Sequence, residues 1–394
     1  MSLFSPPKTK ILFIGHDASR SGAPILLLNL LRHFKNKNQF SIRILLRSTG
    51  PLEKYFSEIA PVKVFSLRGK ILKKIINLLR LNWAVNKIRN QFLLNDYNSE
   101  NFDLIYSNTI VNGDILKVLS KLKLPIITHV HELNNVIAHY GQNNWELIKR
   151  YTNYYIAGSL AVKENLALNR GIARGKIEVV HEFIPAFPAV SISDCRHGVR
   201  EQLGIPLNAF VVCGSGLSGR RKGTDLFVQL AECVLRKKND MDIFFLWVGR
   251  RLKNAKEKHD IDKFLDLHGL RSRVIFTGEV DNPLDYYAAS DVFAMVSRED
   301  PFPLVCLLAA SVGKPVLCFD GAGGMPEFVE NDSGYVVPYL DVNTMAEKIV
   351  DLTNHPEELH RLGSCAQRKA QQKYDINVGA ERILQIIDKV LKFS

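Results

Sequence analysis

The chain has 394 residues, enough for two to three domains of roughly 150 residues each, and 46% of it is apolar, so sizeable cores can be buried. No run of about 18 apolar residues occurs, which excludes a membrane-spanning helix. The six cysteines are scattered without a C-x-x-C pair, which argues against a disulfide framework and against a zinc centre. A net charge of +12 makes an anionic partner plausible: a nucleotide, a phospholipid surface or a nucleic acid.

The opening residues MSLFSPPKTK carry no apolar signal core, so a cytoplasmic protein is expected. Short apolar runs at residues 11–15, 42–46, 62–66, 104–107, 126–130, 154–157 and 177–180 read as buried strands. Helical patterns, such as 25–34 and 115–122, lie between most of them. This alternation predicts right-handed crossovers and a parallel sheet covered on both faces. At 183–193 the pattern breaks into FIPAFPAVSIS, which reads as a linker. A second alternating series follows, with strands at 210–214, 243–248, 274–277, 292–295, 316–319 and 335–337. Helices close it at 344–353, 356–373 and 378–393. The fold class is therefore α/β, with two Rossmann-like, doubly wound domains facing a central cleft. Ligands in such sheets bind outside the carboxyl ends of the strands.

The loops at those ends carry the candidate chemistry. The first is GHDASRSGAP, where Gly22 and Pro24 suit a turn into a helix. It is not G-x-G-x-x-G, which counts against a dinucleotide site. The second is THVHEL, where His129 or His131 ends an apolar strand and offers an imidazole to a hydroxyl. His131 is the favoured residue, with Glu132 beside it. The third is CGSGLSGRRKGTDLF, which sets Arg220, Arg221 and Lys222 before a helix start. Cations there oppose the helix dipole unless an anion lies between them, so a bound phosphate explains them better than fold stability does. The fourth is the loop at Glu279 and Val280 after the strand at 274–277. The fifth, REDPFPLVCLLAAS, has acidic residues, prolines at 301 and 303, then a helix. A helix terminus opened by proline leaves N–H groups free for an anion, and carboxylates beside it grip hydroxyls. A phosphorylated, hydroxyl-rich ligand such as a nucleotide sugar fits that combination.

Between residues 59 and 95 there is no acidic residue, yet eight are Lys or Arg, from Lys63 and Arg68 to Lys87 and Arg89. Apolar Ile71, Ile75, Leu78, Leu79 and Trp83 recur there at helical spacing. A basic amphipathic helix of this kind reads as a peripheral contact with the inner, anionic face of a membrane, or as a helix packed on the sheet with its basic face solvated. Nucleic acid is not expected, because no stacking aromatics interleave the basic residues.

The segment from Glu299 onward resembles the donor-binding motif of retaining GT-B glycosyltransferases of family 4 (glycosyl transferases group 1). That motif, E-G-F-G-L-P-V-L-E, carries two glutamates eight positions apart; Glu299 fits the first, and the second falls on Leu307. The resemblance extends to Lys222 before Gly223, to His131, and to the G-G-x-x-E loop ending at Glu327. A family arginine six residues before the lysine is replaced here by Gly216, leaving Arg220 or Arg221 to substitute. The resemblance implies transfer of a sugar from a nucleoside diphosphate donor to a glycan or lipid-linked acceptor in polysaccharide synthesis. It implies neither metal nor cofactor. His131, Glu299 and Lys222 are the implied catalytic residues. Gly22, Arg220, Arg221, Glu279, Val280, Asp300, Phe302, Pro303, Leu304, Val305 and Leu307 complete the implied donor site. Residues 1–185 would form the acceptor-side domain, 186–373 the donor domain, and 374–394 a last helix crossing back to the first. Leucine at 307 cannot accept hydrogen bonds from a ribose. That leaves a weak ribose site, a deoxyribose donor, or a degenerate GT-B protein serving as a non-catalytic nucleotide- or glycan-binding partner.

Overall fold

The computed structural model describes residues 8–65, 82–185, 192–251 and 255–393. The chain divides into two compact units: Met1–His181 with Ile376–Ser394, and Glu182–Asp375.

Among the described residues the first unit is built on seven parallel strands: β1 (Lys10–Gly15), β2 (Ser41–Leu46), β3 (Val62–Val64), β4 (Leu104–Asn108), β5 (Ile126–Val130), β6 (Tyr154–Ala157) and β7 (Ile177–Val179). Their order is β3-β2-β1-β4-β5-β6-β7. β1, β4 and β5 are almost wholly buried, the signature of strands covered on both faces. The chain winds from β1 outward one way to β3, then restarts at β4 and winds the other way. The carboxyl ends of β1 and β4 thus diverge at a topological switch point, where the sheet leaves a crevice. The final helix, Ile376–Lys392, buries Ile383, Ile386, Ile387 and Val390 and packs against the helix Gly22–Asn36. Lys389 fastens its end by donating to Glu178 (2.6 Å) and to the hydroxyl of Tyr154 (2.8 Å).

Among its described residues the second unit holds six parallel strands: β8 (Phe210–Ser215), β9 (Ile243–Val248), β10 (Val274–Gly278), β11 (Val292–Met295), β12 (Val316–Phe319) and β13 (Gly334–Val337). The order β10-β9-β8-β11-β12-β13 puts its switch point between β8 and β11. Phe227 of the helix Thr224–Lys237 meets Phe245 and Trp247 of β9 edge-on, with ring centroids 5.7 and 5.2 Å apart. A Cβ at Gly214 would lie 2.9 Å from the Phe227 ring and 3.0 Å from Trp247, which is why β8 carries a glycine there. Arg200, fully buried, ties three elements together: it donates to the carbonyls of Ala209 (2.7 Å) and Ala289 (2.9 Å) and to Asp291 (2.9 Å).

Two sequence expectations change. The linker expected at 183–193 opens on buried residues: Phe183 and Ile184 are packed away, and the amide of Ile184 bonds the carbonyl of Tyr374 at 2.9 Å. Its end is helical, because the helix Ile192–Leu203 has already begun. The basic run falls largely on residues 66–81, outside the described residues. Its described remainder is the helix Asn82–Asn98, which buries Leu93 and Tyr97.

Candidate functional site

Polar side chains gather at the carboxyl ends of the strands in both units. In the second unit the gathering point is the switch between β8 and β11. β8 runs into Gly216–Gly219, a turn of 3-10 helix at Arg220–Lys222, and then the helix Thr224–Lys237. Gly223 starts that helix at φ 72°, and a Cβ there would fall 1.8 Å from the carbonyl oxygen of Val296. Only glycine lets the phosphate-binding candidate loop cross the end of β11 so closely. Backbone and side-chain bonds then lock the two loops. The amide of Arg298 donates to the carbonyl of Arg221 (2.9 Å), and the Arg221 guanidinium donates to the carbonyl of Glu299 (2.8 Å). Arg298 grips Asp225 with both guanidinium nitrogens at 2.7 Å. Burial raises the Asp225 pKa, but the Arg298 bonds outweigh it and hold the carboxylate below its ordinary range.

The lock brings Lys222 and Asp300 together. The Lys222 ammonium donates to Oδ2 of Asp300, with side-chain exposures of 18% and 8%. The hydroxyl of Ser297 lies 3.4 Å from the same oxygen. Asp300 is held from behind by its own backbone, whose amide donates to the carbonyl of Ala322 at 2.7 Å. Ser215, Lys222, Ser297, Asp300, Pro303 and Val305 line one recess. The helix Leu304–Ser311 begins beside it, capped by Pro303. Its first amides, Leu304 and Val305, have no intrahelical acceptor and carry the positive end of the helix dipole. A larger cavity of about 270 Å³ lies between this loop and the helix Ala255–Leu267. Neither Lys222 nor Asp300 lines it, and two of its charged residues, Asp225 and Arg251, are already paired, with Arg298 and Asp262.

The structure corrects two of the sequence assignments. Leu307 is fully buried in the core of the unit, so it offers nothing to a ligand. Phe302 is 4% exposed and stacks on Tyr374, with centroids 5.5 Å apart; its ring is packing, not a ligand contact. Helix phase is the reason: Leu304, Val305 and Leu308 share the half-buried face, and Leu307 points inward. Counted one residue later, the paired motif falls on Asp300 and Leu308, and its phenylalanine falls on Phe302. That aromatic was the signal available in the sequence for the correct register.

Arg220 and Arg221 are exposed, Glu299 is half-buried, and Pro303, Leu304 and Val305 stand at the helix start. Glu279 is exposed and Val280 half-buried in the loop after β10, away from the Lys222–Asp300 pair in sequence but on the same side of the sheet.

In the first unit the cluster forms at β4 and β5. His131 follows the end of β5, and its Nε2 lies 2.9 Å from Oδ1 of Asn108 at the end of β4. Glu132 is buried: its carboxylate accepts from the hydroxyl of Thr109 and, at 2.9 Å, from the amide of His131. His129 is fully buried, 2.7 Å from the hydroxyl of Tyr106, and its ring centroid is 4.1 Å from that of His131. Burial, then the neighbouring His131, holds the His129 pKa well below the ordinary imidazole value, so it stays neutral. Gly22 begins the helix after β1 in an open position, with no atom within 4 Å of a Cβ built there. Asn108 and Thr109 escaped the sequence reading because a polar pair at a strand end looks like any turn.

Among the described residues no group of three or more His, Cys, Asp or Glu could hold a metal ion, and no helix is long and apolar enough to cross a membrane.

Comparison with known proteins agrees with this division. Residues 20–186 match the family Glycosyltransferase Family 4, and residues 208–355 match Glycosyl transferases group 1. The lipopolysaccharide core biosynthesis glycosyltransferase LpsD of Rhizobium meliloti (strain 1021) is 27% identical over 213 residues, 54% of this chain and 57% of its own length. The O-antigen biosynthesis glycosyltransferase WclY of Escherichia coli is 23% identical over 335 residues, 82% of either chain. Among solved structures, Anabaena HepE in complex with UDP and glucose superposes with a TM-score of 0.80 at 21% identity, covering 97% of this chain and all of that one. A match in each unit and the shared pair of parallel-sheet Rossmann-like domains lead to one assignment: the chain carries a Glycosyltransferase Family 4 domain and a Glycosyl transferases group 1 domain in the GT-B fold.

Proposed function

We propose that the protein transfers a sugar from a nucleoside diphosphate donor to a hydroxyl of a glycan or lipid-linked acceptor, with retention of anomeric configuration and without a metal, in the assembly of a surface polysaccharide. The observation that carries this reading is the Lys222–Asp300 pair at the β8/β11 switch point, beside the open end of the helix Leu304–Ser311. Negative charge grows on the diphosphate as it departs. Lys222 and the helix end are held in place as donors for that charge, and Arg220 or Arg221 reaches it from the exposed turn. Asp300 accepts from sugar hydroxyls, and its negative charge favours the positive charge that builds on the sugar ring. In the first unit, His131 supplies a hydrogen bond to a sugar hydroxyl. The relatives named for lipopolysaccharide core and O-antigen synthesis support the polysaccharide setting. The HepE complexes with UDP and UDP-glucose support a nucleoside diphosphate donor.

The test is donor-dependent release of nucleoside diphosphate from a panel of nucleotide sugars, with the product's anomeric configuration read by NMR. Release is expected to persist in excess EDTA, because the phosphate charge is met by Lys222 and the helix end. Loss of activity in EDTA that returns with a divalent cation would refute the metal-free part. Binding of nucleoside diphosphate with no release from any donor would favour a non-catalytic binding subunit, a reading that the apolar Leu308 keeps worth testing.

The helix Asn82–Asn98 supports a peripheral membrane contact as part of the same proposal. Ile88 and Phe92, one turn apart, are 57% and 63% exposed, with Lys87 exposed beside them. A paired apolar stripe with an exposed cation beside it suits the headgroup region of an anionic bilayer.

A further inference from the structure

The amino ends of β8, β11 and β12 lie at the edge of the second sheet opposite to Lys222 and Asp300, and cations are buried there. Lys314, two residues before β12, is 8% exposed. Arg200 is fully buried, and Arg196 keeps a side-chain exposure of 28%. One carboxylate, Asp291, stands among them just before β11. Its Oδ1 accepts from Arg196 at 2.9 Å, and its Oδ2 accepts from Arg200 at 2.9 Å and from the amide of Val211 at 2.8 Å. Among the described residues the Lys314 ammonium has no hydrogen bond and no ion pair. Asp291, Arg196 and Arg200 act on it through their fields, beside the thiol of Cys213, which burial keeps protonated.

Three cations thus share one carboxylate in a poorly solvated place. Such an excess of buried charge is unfavourable, and lysine, unlike arginine, relieves it by giving up a proton. Burial lowers the Lys314 pKa from 10.5 to about 8; Asp291 opposes the fall and the two arginines add to it. At pH 7.4 roughly a fifth of such amines are neutral, against about one in a thousand for an ordinary lysine. The neutral amine is the nucleophilic form.

We propose that Lys314 is a modification site that forms a carbamate with dissolved carbon dioxide. The Nζ lone pair attacks the carbon of CO₂. A C–N bond forms, one C=O π bond opens onto its oxygen, and the proton lost from nitrogen goes to water. No oxidant, reductant or further reactant takes part. The product sets an anion where the ammonium stood, so two anions then face two guanidiniums and the local charges balance. Acetylation or an imine removes at most one positive charge and leaves the arginines in excess. Size favours CO₂ as well, since a three-atom linear molecule reaches a side chain that is nine-tenths buried. Arg196 bonds Asp291 through Nη1, and its Nε and Nη2 have no partner among the described residues, so donors are at hand for the new oxygens. The site stands at the far edge of the sheet from the Lys222–Asp300 pair and does not depend on the glycosyltransferase reading.

The test equilibrates the full chain with ¹³C-bicarbonate at pH 8 and follows carbamate in two ways. Solution ¹³C NMR reads it directly. Triethyloxonium tetrafluoroborate converts it to a stable ethyl ester that digestion and mass spectrometry locate. The expected result is a ¹³C carbamate signal that Lys314→Met abolishes, with the trapped ester on Lys314. No signal that Lys314→Met removes, or esters on other lysines alone, overturns the proposal. Arg196→Gln should reduce the occupancy several-fold at the same bicarbonate concentration, and unchanged occupancy overturns the charge-balance account. If Arg196→Gln does not fold, a thermal melt decides that account: bicarbonate should raise the midpoint of wild type over chloride at equal ionic strength, and should leave Lys314→Met unmoved. An equal rise in both proteins overturns it.

Discussion

Two neighbouring carboxylates, Glu299 and Asp300, compete for the same functional role, and their surroundings separate them. Asp300 is buried against the Lys222 ammonium, whereas Glu299 is half-buried and meets the Arg221 guanidinium through its backbone carbonyl. Asp300→Asn is expected to lower turnover by about 100-fold or more, the usual effect of deleting one preorganised charge contact. Glu299→Gln is expected to change turnover by less than about tenfold. The reverse order, measured as nucleoside diphosphate release, would return the first carboxylate position to Glu299. The same logic applies one helix turn onward. Leu308→Glu on the half-buried face is expected to fold, and to raise affinity for uridine diphosphate relative to thymidine diphosphate by about tenfold, one charge-assisted hydrogen bond. Leu307→Glu would bury a charge in the core and cost more than about 3 kcal/mol of stability. Titration calorimetry and thermal melts of the two variants check both halves. If Leu308→Glu leaves the preference unchanged, position 308 does not face the ribose.

At the scale of elements, burial sets the properties of the segment joining the helix Leu304–Ser311 to β12. Lys314 is 8% exposed there, and burial lowers its pKa from 10.5 to about 8, partly offset by Asp291. The sign follows from linkage. Between about 8 and 10.5 the unfolded chain binds more protons at this residue than the folded one, so stability rises with pH through that window. The rise amounts to something on the order of 3 kcal/mol at its limit. Lys314→Met is therefore expected to be more stable than wild type at pH 7, with the gap closing above pH 10. Denaturant melts of both proteins at pH 7, 9 and 10.5 would show it. A gap that does not change with pH would mean that the lysine is no less basic in the folded chain.

At the scale of the whole molecule, two doubly wound sheets each place their polar residues where the strand order reverses. Loops from distant parts of the chain converge only there, and only there is the backbone left uncovered by crossover helices. The exposed pair Ile88 and Phe92 lies on the helix Asn82–Asn98, which carries the end of the acid-free basic run. Ile88→Ser with Phe92→Ser is expected to reduce co-sedimentation with vesicles rich in anionic lipid several-fold while leaving nucleotide binding intact. Binding of the wild type should also fall as salt is raised, since each Lys or Arg near the surface contributes about 1 kcal/mol. Equal binding of wild type and double variant would rule out this stripe as the contact.

Composition and periodicity alone determined the thirteen strands of the described residues, the α/β class and the residues at the strand ends, because a strand covered on both faces must be a continuous apolar run. The same reading located Lys222 before its helix and His131 after β5, since strand and helix boundaries are written in local residue types. The tertiary structure decided everything that depends on contacts between distant segments. Gly323 lacks the Cβ that would strike the Asp300 carbonyl, at 1.8 Å, and that close approach is what seats Asp300 rather than Glu299 beneath Lys222. Leu307 and Leu308 differ by one helical step, and only the core on one side of the helix tells them apart. Asn108 joins His131 to a carbonyl 85 residues before Asn108, at Ala23, brought close because β1 and β4 are neighbours in the sheet and distant in the chain.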